Sequence, residues 1–463
     1  MSVLLSEARR TLALAGPIII GQVSQILLGV TDNLMIGQVG KIPLAAAAFA
    51  NSVFGFIYII GIGLLIPVAV FVSRAHGARQ DSECAEWLRH GMALAVAYGG
   101  VATVLMLGVA TQLHHFQQPP EVLAEVRPYF EIIGWSLIPV LAFQALRQFA
   151  ESLGRPLVPM TMMLGAVALN VLLNWILIYG RLGAPALGLA GAGWATLISR
   201  VAVVVALASW LARDVELRPA WPRGRWFARS TRARYHEMLH LGVPSAVSLM
   251  FESGAFAAAA IMMGWIGATA LAAHQIALSC ASFTFMFPLG LSMAVSMRLA
   301  RAVGEGRVDG LRPIGFGAQA MSALIMGLFA LTFMLFGRVL ADGFVDEPEV
   351  IALATRLLVV AGIFQLFDGA QVVGAGTLRG LTDVKIPTVI TAVAYWGISL
   401  PVGYGLGVHG SFGATGVWGS LAAGLAFAAV CLLARFARLT SPERVATFAR
   451  LPPRAIGEPP VVH

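Results

Sequence analysis

The sequence predicts an all-α integral membrane protein whose twelve transmembrane helices form two pseudo-symmetric six-helix lobes. Three observations predict it. Of 463 residues, 58% are hydrophobic and only 12% charged, and the mean hydropathy of +0.81 is far above what a water-facing surface tolerates. Apolar runs long enough to cross a hydrocarbon core, about twenty residues each, follow one another along the chain. One constant offset also superposes the first half of the sequence on the second.

Apolar runs between charged or Gly/Pro-containing breaks place the spans at 11–36, 44–72, 89–112, 126–149, 157–181, 188–213, 238–264, 271–299, 315–341, 351–375, 386–408 and 413–437. The domain division that follows is an N-terminal lobe over 1–212, a basic linker over 213–237, a C-terminal lobe over 238–438 and a tail over 439–463. Ser6-Glu7-Ala8-Arg9-Arg10 resembles the charged start of a signal peptide. The apolar stretch after it is long and lacks a small-residue cleavage site, so it reads as a retained first helix. Cys84, Cys280 and Cys431 are dispersed and have no metal-ligand spacing.

The net charge of +8 is informative through its placement. With both termini cytoplasmic, the inside segments collect Arg9, Arg10, Arg74, Arg79, Arg147, Arg155, Arg298, Arg301, Arg307, Arg312, Arg379 and Lys385, together with the arginines of the tail. They also take the linker, with Arg218, Arg223, Arg225, Arg229, Arg232 and Arg234. The opposite loops, His114 to Pro120 and Trp265 to Ala270, carry no Lys or Arg. The linker is therefore an inside-positive connection and not a nucleic-acid surface. The expected location is a bacterial-type cytoplasmic (inner) membrane, crossed many times by a monomer set in membrane lipid.

The repeat aligns Pro17 with Pro244, Met35 with Met262, Gly37 with Gly264, Gly40 with Gly267, Ser52 with Ser279 and Arg74-Ala75 with Arg301-Ala302, all without a gap. Further on, Gly188 to Trp194 echoes Gly413 to Trp418, and Pro159 echoes Pro387. Six spans separate equivalent positions, so both halves enter the membrane in the same sense and are related by an axis along its normal. A cavity between the halves follows from that arrangement.

Three acids fall within spans: Asp32, Glu252 and Asp368. A carboxylate in the bilayer costs at least about 2.5 kcal/mol, and none of the three has Lys or Arg within two turns of its own helix. Each needs a partner helix, a cation or a proton. Such groups suit exchange of a proton, Na⁺ or a cationic substrate, and a structural hydrogen bond to a neighbouring helix is the plainer reading. Asn170 and Asn174, one turn apart, with Thr196, Gln275, Gln22 and Gln25, are polar companions in the same apolar setting. Each can coordinate a cation or join helices.

Leu14-Ala-Gly-Pro17, Gly29-Val-Thr-Asp32-Asn-Leu-Met-Ile-Gly37 and Leu44 to Ser52 resemble the opening of multidrug and toxic compound extrusion (MATE) transporters, NorM-like branch. Phe251-Glu252, Ala272-Ala-His-Gln275 and Phe367-Asp368-Gly-Ala-Gln371 through Arg379-Gly380 extend the resemblance over nearly the whole chain. It implies a two-lobed secondary active antiporter that exports organic cations in exchange for Na⁺ or H⁺, without a cofactor. It also implies that Glu252 and Asp368 are the cation-site carboxylates, open to Na⁺, with Asn170, Asn174 and Thr196 as companions, and that Asp32 is the acid of the first helix. Thr31-Asp32-Asn33 departs from the family's usual Val-Asp-Thr.

Two rivals are weighed. His236-Glu237-Met-Leu-His240 fits HExxH, a zinc-protease helix, but it follows Arg232-Ala-Arg234 at the cytoplasmic end of the seventh span, several turns from Asp368. A lipid-linked precursor flippase shares the two-lobed design, yet it calls for several cavity arginines to hold pyrophosphate, and Arg200 is nearly alone. No phosphate-binding loop or nucleophile motif appears, so nothing supports an ATP-driven pump or an enzyme.

Overall fold

In the computed structural model, which describes residues 2–116, 120–222, 226 and 231–444, the twelve spans are helices. They are α1 (Ser6–Gly37), α2 (Lys41–Gly77), α3 (Asp81–Thr111), α4 (Glu121–Ser152), α5 (Leu157–Tyr179), α6 (Gly188–Arg213), α7 (Arg232–Ile266), α8 (Ala268–Gly304), α9 (Val308–Asp342), α10 (Pro348–Gly380), α11 (Lys385–His409) and α12 (Gly413–Leu439). Several outrun the apolar stretches that mark them. α2, α3 and α8 continue through charged residues to tight turns at 78–80 and 305–307, because helix propensity and backbone hydrogen bonding do not stop at the hydrocarbon boundary. Gln117, Gln118 and Pro119, the linker's Arg223, Arg225 and Arg229, and the tail beyond 444 lie outside the described residues.

The main helix pairings inside one lobe have counterparts in the other. α4 packs on α2, α3 and α6 as α10 packs on α8, α9 and α12, and α5 lies on α1 as α11 lies on α7. The lobes meet through α1 and α2 against α7 and α8, and the contact obeys the repeat. A Cβ on Gly63 would stand 2.3 Å from the Cα of Ala246, and one on the equivalent Gly290 would stand 2.5 Å from Ile19, the equivalent of Ala246. A Cβ on Gly77 would stand 2.3 Å from the carbonyl oxygen of Arg301, and one on Gly304 2.0 Å from that of Arg74. Only glycine permits such backbone approach.

Toward the Arg74 and Arg301 ends the lobes share a core, with Ile18, Ile19 and Ala69 packed against Leu291, Val295 and Met297. Two ion pairs cross there as well, Glu7 with Arg298 and Glu83 with Arg234. Toward Gly40 and Gly267 each lobe has its own core, around Phe54, Tyr129 and Phe130 in one and Phe364, Tyr395 and Trp418 in the other. Phe56 and Phe283 lie about two turns up from Gly63 and Gly290 on the same helix faces and are 51% and 47% exposed. The lobes therefore close at one end and part toward the other.

Gly304→Ala is expected to lower stability by about 1–3 kcal/mol, as overpacking of a tight contact does. Gly100→Ala, where a Cβ meets nothing within 4 Å, is expected to be neutral or slightly stabilising. Thermal melting of the two variants in detergent checks this, and equal melting would contradict the close lobe contact.

Candidate functional site

In the N-terminal lobe α1 packs on α5, and α5 packs on α6. Asp32, 6% exposed, is thereby met by α5 and α6 side chains. Asn174 Nδ2 donates to Asp32 Oδ1 at 2.6 Å and to Asn170 Oδ1 at 3.1 Å, and Thr196 Oγ1 donates to Asp32 Oδ2 at 3.2 Å. The Asn170/Asn174 spacing of one turn puts both amides on the face toward α1. Beside them is a cavity of about 300 Å³ whose walls include Gln25, Asp32, Phe54, Tyr58, Thr196 and Arg200. The Arg200 guanidinium donates to Ser136 Oγ, at the break in α4, and lies 4.6 Å from the centroid of the Phe54 ring. It supplies positive charge near Asp32 without forming an ion pair with it.

The other two acids lie in the C-terminal lobe. Glu252 on α7 is partly accessible. Asp368 on α10 is 4% exposed, and its Oδ1 has no hydrogen-bond partner. The two lie within electrostatic range of each other, and Glu252 within that of Arg379. Neither carboxylate forms an ion pair among the described residues. An unpartnered buried carboxylate oxygen is destabilising unless a cation, water or proton reaches it, so the chemistry available here is capture of a small or organic cation.

This grouping corrects one expectation. Asn170, Asn174 and Thr196 accompany Asp32 and not Glu252 and Asp368, because α5 and α6 close the first lobe while Glu252 and Asp368 stand on α7 and α10 of the second. The Gln275 side chain is exposed near the start of α8. Gln25 donates to the Tyr58 hydroxyl at 3.1 Å, and Gln22 accepts from Arg147 Nη1 at 2.7 Å. The acids also break the repeat that the helices keep. Ala259 is the equivalent of Asp32, Gln25 of Glu252 and, in the register of Pro159 and Pro387, Val140 of Asp368.

The expected set of embedded acids is also incomplete. Glu151 and Arg147 pair at 2.7 Å within α4, their side chains 2% and 4% exposed. Glu151 lies past the end of the apolar run, so hydropathy missed it, although a Glu four residues from an Arg on one helix face is a readable signal.

A sequence model of the MatE family matches residues 17–176 and again 244–405. The chain belongs to the MatE family. The two matched segments begin at Pro17 and Pro244, the first pair of the internal repeat. Among relatives, the chain is 36% identical to a probable multidrug resistance protein NorM of Mesorhizobium japonicum over 97% of its own length and 96% of that protein's. It is 35% identical to the protein of the same name from Pseudomonas putida, covering 92% and 93%. Among solved structures it superposes on a MATE in the bent conformation with a TM-score of 0.88 at 20% identity, covering 97% and 99%. A multidrug resistance MATE transporter in an outward-facing conformation gives 0.86 at 20%, covering 96% and 97%. At that identity the structures establish the fold shared by MatE proteins.

In this MatE chain the HExxH side chains His236, Glu237 and His240 are exposed on the first turns of α7. His236 is sixteen residues from Glu252, roughly 24 Å along the helix, and Asp368 is at the level of Glu252. Among the described residues no group of three or more His, Cys, Asp or Glu side chains is arranged to hold a metal.

Proposed function

We propose that this MatE protein is a secondary active multidrug efflux antiporter, expelling organic cations in exchange for Na⁺ or H⁺ by alternating access between its two lobes. The observation that carries the reading is the pair of carboxylates, Glu252 and Asp368, set in one lobe of a membrane protein without an ion-pair partner among the described residues. A cationic drug and a coupling cation compete for such a pair. Binding alone moves nothing: entry of the coupling ion displaces the drug, and reorientation of the lobes releases the ion on the other side.

The lobes, divided at the 213–237 linker, are parted at the Gly40 and Gly267 ends. With the arginine-rich turns cytoplasmic, this is an outward-facing arrangement, with both termini inside and the chain working as a monomer in the inner membrane. Asp32 with Asn170, Asn174 and Thr196 forms a second polar group, in the N-terminal lobe, beside a cavity whose aromatic walls and carboxylate suit a flat organic ligand and whose Arg200 balances the charge.

Uptake of a fluorescent organic cation into inside-out vesicles tests the proposal. Accumulation is expected when a Na⁺ or H⁺ gradient is imposed and not without one. Accumulation indifferent to both gradients would overturn it and favour a channel or a lipid-precursor flippase.

A further inference from the structure

Several buried polar atoms of the C-terminal lobe find no hydrogen-bond partner: Ser322 Oγ, both amide atoms of Gln365, Asp368 Oδ1, Gln371 Oε1 and the Tyr395 hydroxyl. Buried polar groups are almost always satisfied. The N-terminal lobe has orphans of its own, at Ser73, Glu151, Asn174 and Ser199, but those of α9 and α10 share two packed helices with the unpartnered Asp368 carboxylate, which points to a ligand there. His274 Nε2, on α8, is a further orphan of this lobe; the others stand on α9 or α10, except Tyr395, on α11.

Tyr395 lies in a π-helical segment, Val393–Ser399, and such wide turns are frequent at functional sites. Three side-chain hydrogen bonds tie α11 to α7. Thr388 Oγ1 donates to the Pro244 carbonyl at 2.9 Å, Ser248 Oγ to Thr391 Oγ1 at 3.3 Å, and Trp396 Nε1 to the Phe251 carbonyl at 3.1 Å. On α7 the last step is from 248 to 251, but on α11 it is from 391 to 396. The π turn takes up the extra residues. It lets Trp396 hold the carbonyl next to Glu252 while Tyr395 is fully buried.

The Tyr395 ring lies 6.3 Å from that of Phe256, which lies 6.0 Å from Phe364. Phe256 is one turn beyond Glu252, and Phe364 one turn before Asp368. Tyr395 is within electrostatic reach of both carboxylates. Hard cations take carboxylate, carbonyl and hydroxyl oxygens together, and the phenol adds a neutral oxygen to an acidic pair.

We infer that the Tyr395 hydroxyl, presented by the π turn of α11, is an oxygen ligand of a Na⁺ ion held by Glu252 and Asp368. The inference rests on the antiporter reading and names its ion and a residue of the site.

The test is thermal melting of purified protein in detergent as NaCl replaces choline chloride at constant ionic strength. A bound ion stabilises the folded state by RT times the natural logarithm of one plus the ratio of ion concentration to Kd. Wild type is expected to melt higher with Na⁺, and Glu252→Gln and Asp368→Asn are expected to lose that response. Tyr395→Phe is expected to melt no lower than wild type without Na⁺, because the hydroxyl it removes bonds nothing. It is also expected to need roughly tenfold more Na⁺, or beyond, for half of the shift, the scale of one oxygen's interaction with a charge. An unchanged Na⁺ requirement in Tyr395→Phe overturns the inference, whether or not the sodium-free melting falls. A wild type indifferent to Na⁺ overturns it too, and the antiporter reading is then judged separately by proton-driven uptake in vesicles.

Discussion

Asp368→Asn is expected to abolish gradient-driven export while leaving the protein folded. Asparagine keeps the shape of the side chain but removes the charge, and loss of one partner from a buried charged interaction costs about 3–5 kcal/mol. That corresponds to a fall of roughly 100-fold or more in coupled transport. Folding is expected to survive because Asp368 Oδ1 makes no hydrogen bond among the described residues and asparagine is close to isosteric. Initial rates of vesicle uptake under a Na⁺ or H⁺ gradient, normalised to the amount of folded protein, measure the effect. Retention of more than a tenth of the wild-type rate would remove Asp368 from the coupling site.

Arg147→Ala is expected to be the most destabilising single change in the N-terminal lobe, at about 3–5 kcal/mol. The guanidinium bonds Glu151 at 2.7 Å, Gln22 at 2.7 Å and the Ile18 carbonyl at 3.4 Å. It thus joins α4 to α1 just beyond Pro17, where the proline has removed a helix hydrogen bond. Truncation strands the Glu151 carboxylate, whose Oε2 already lacks a partner. The paired change Arg147→Met with Glu151→Leu is expected to recover much of the loss, since replacing both members of a buried ion pair with apolar groups is often neutral. Denaturation of the single and double variants checks this, and a single-variant loss below about 0.5 kcal/mol, the scale of an ordinary surface substitution, would contradict it.

Much of the fold was legible because hydrocarbon imposes a simple rule. Every spanning segment must satisfy its own backbone and be apolar for about twenty residues, so spans, repeat and lobe division follow from hydropathy and register. The packing of the lobes was not legible. That Gly63 and Gly290 mark backbone contacts, while Gly100 meets nothing, depends on which helix faces which.

The same limit governed the site. Asp32, Glu252 and Asp368 stand out because charge is rare in a span. Asn170, Asn174 and Thr196 were found as polar groups in an apolar setting, but pairing them with Asp32 needed the packing of α1, α5 and α6. Tyr395 gave little signal, since an embedded tyrosine resembles packing until the π turn is seen. Gln275 was drawn in as a polar group in an apolar span, and its side chain is exposed.

The central claim is that drug and coupling ion compete for the C-lobe carboxylates. The most direct measurement is equilibrium binding of a fluorescent organic cation to purified protein, followed by anisotropy as Na⁺ or H⁺ is raised, in wild type and in Glu252→Gln. The expected result is release of the drug by at least one of the two ions in wild type and loss of that release in Glu252→Gln. Drug binding that ignores both ions in wild type, or that responds identically in Glu252→Gln, would contradict the account.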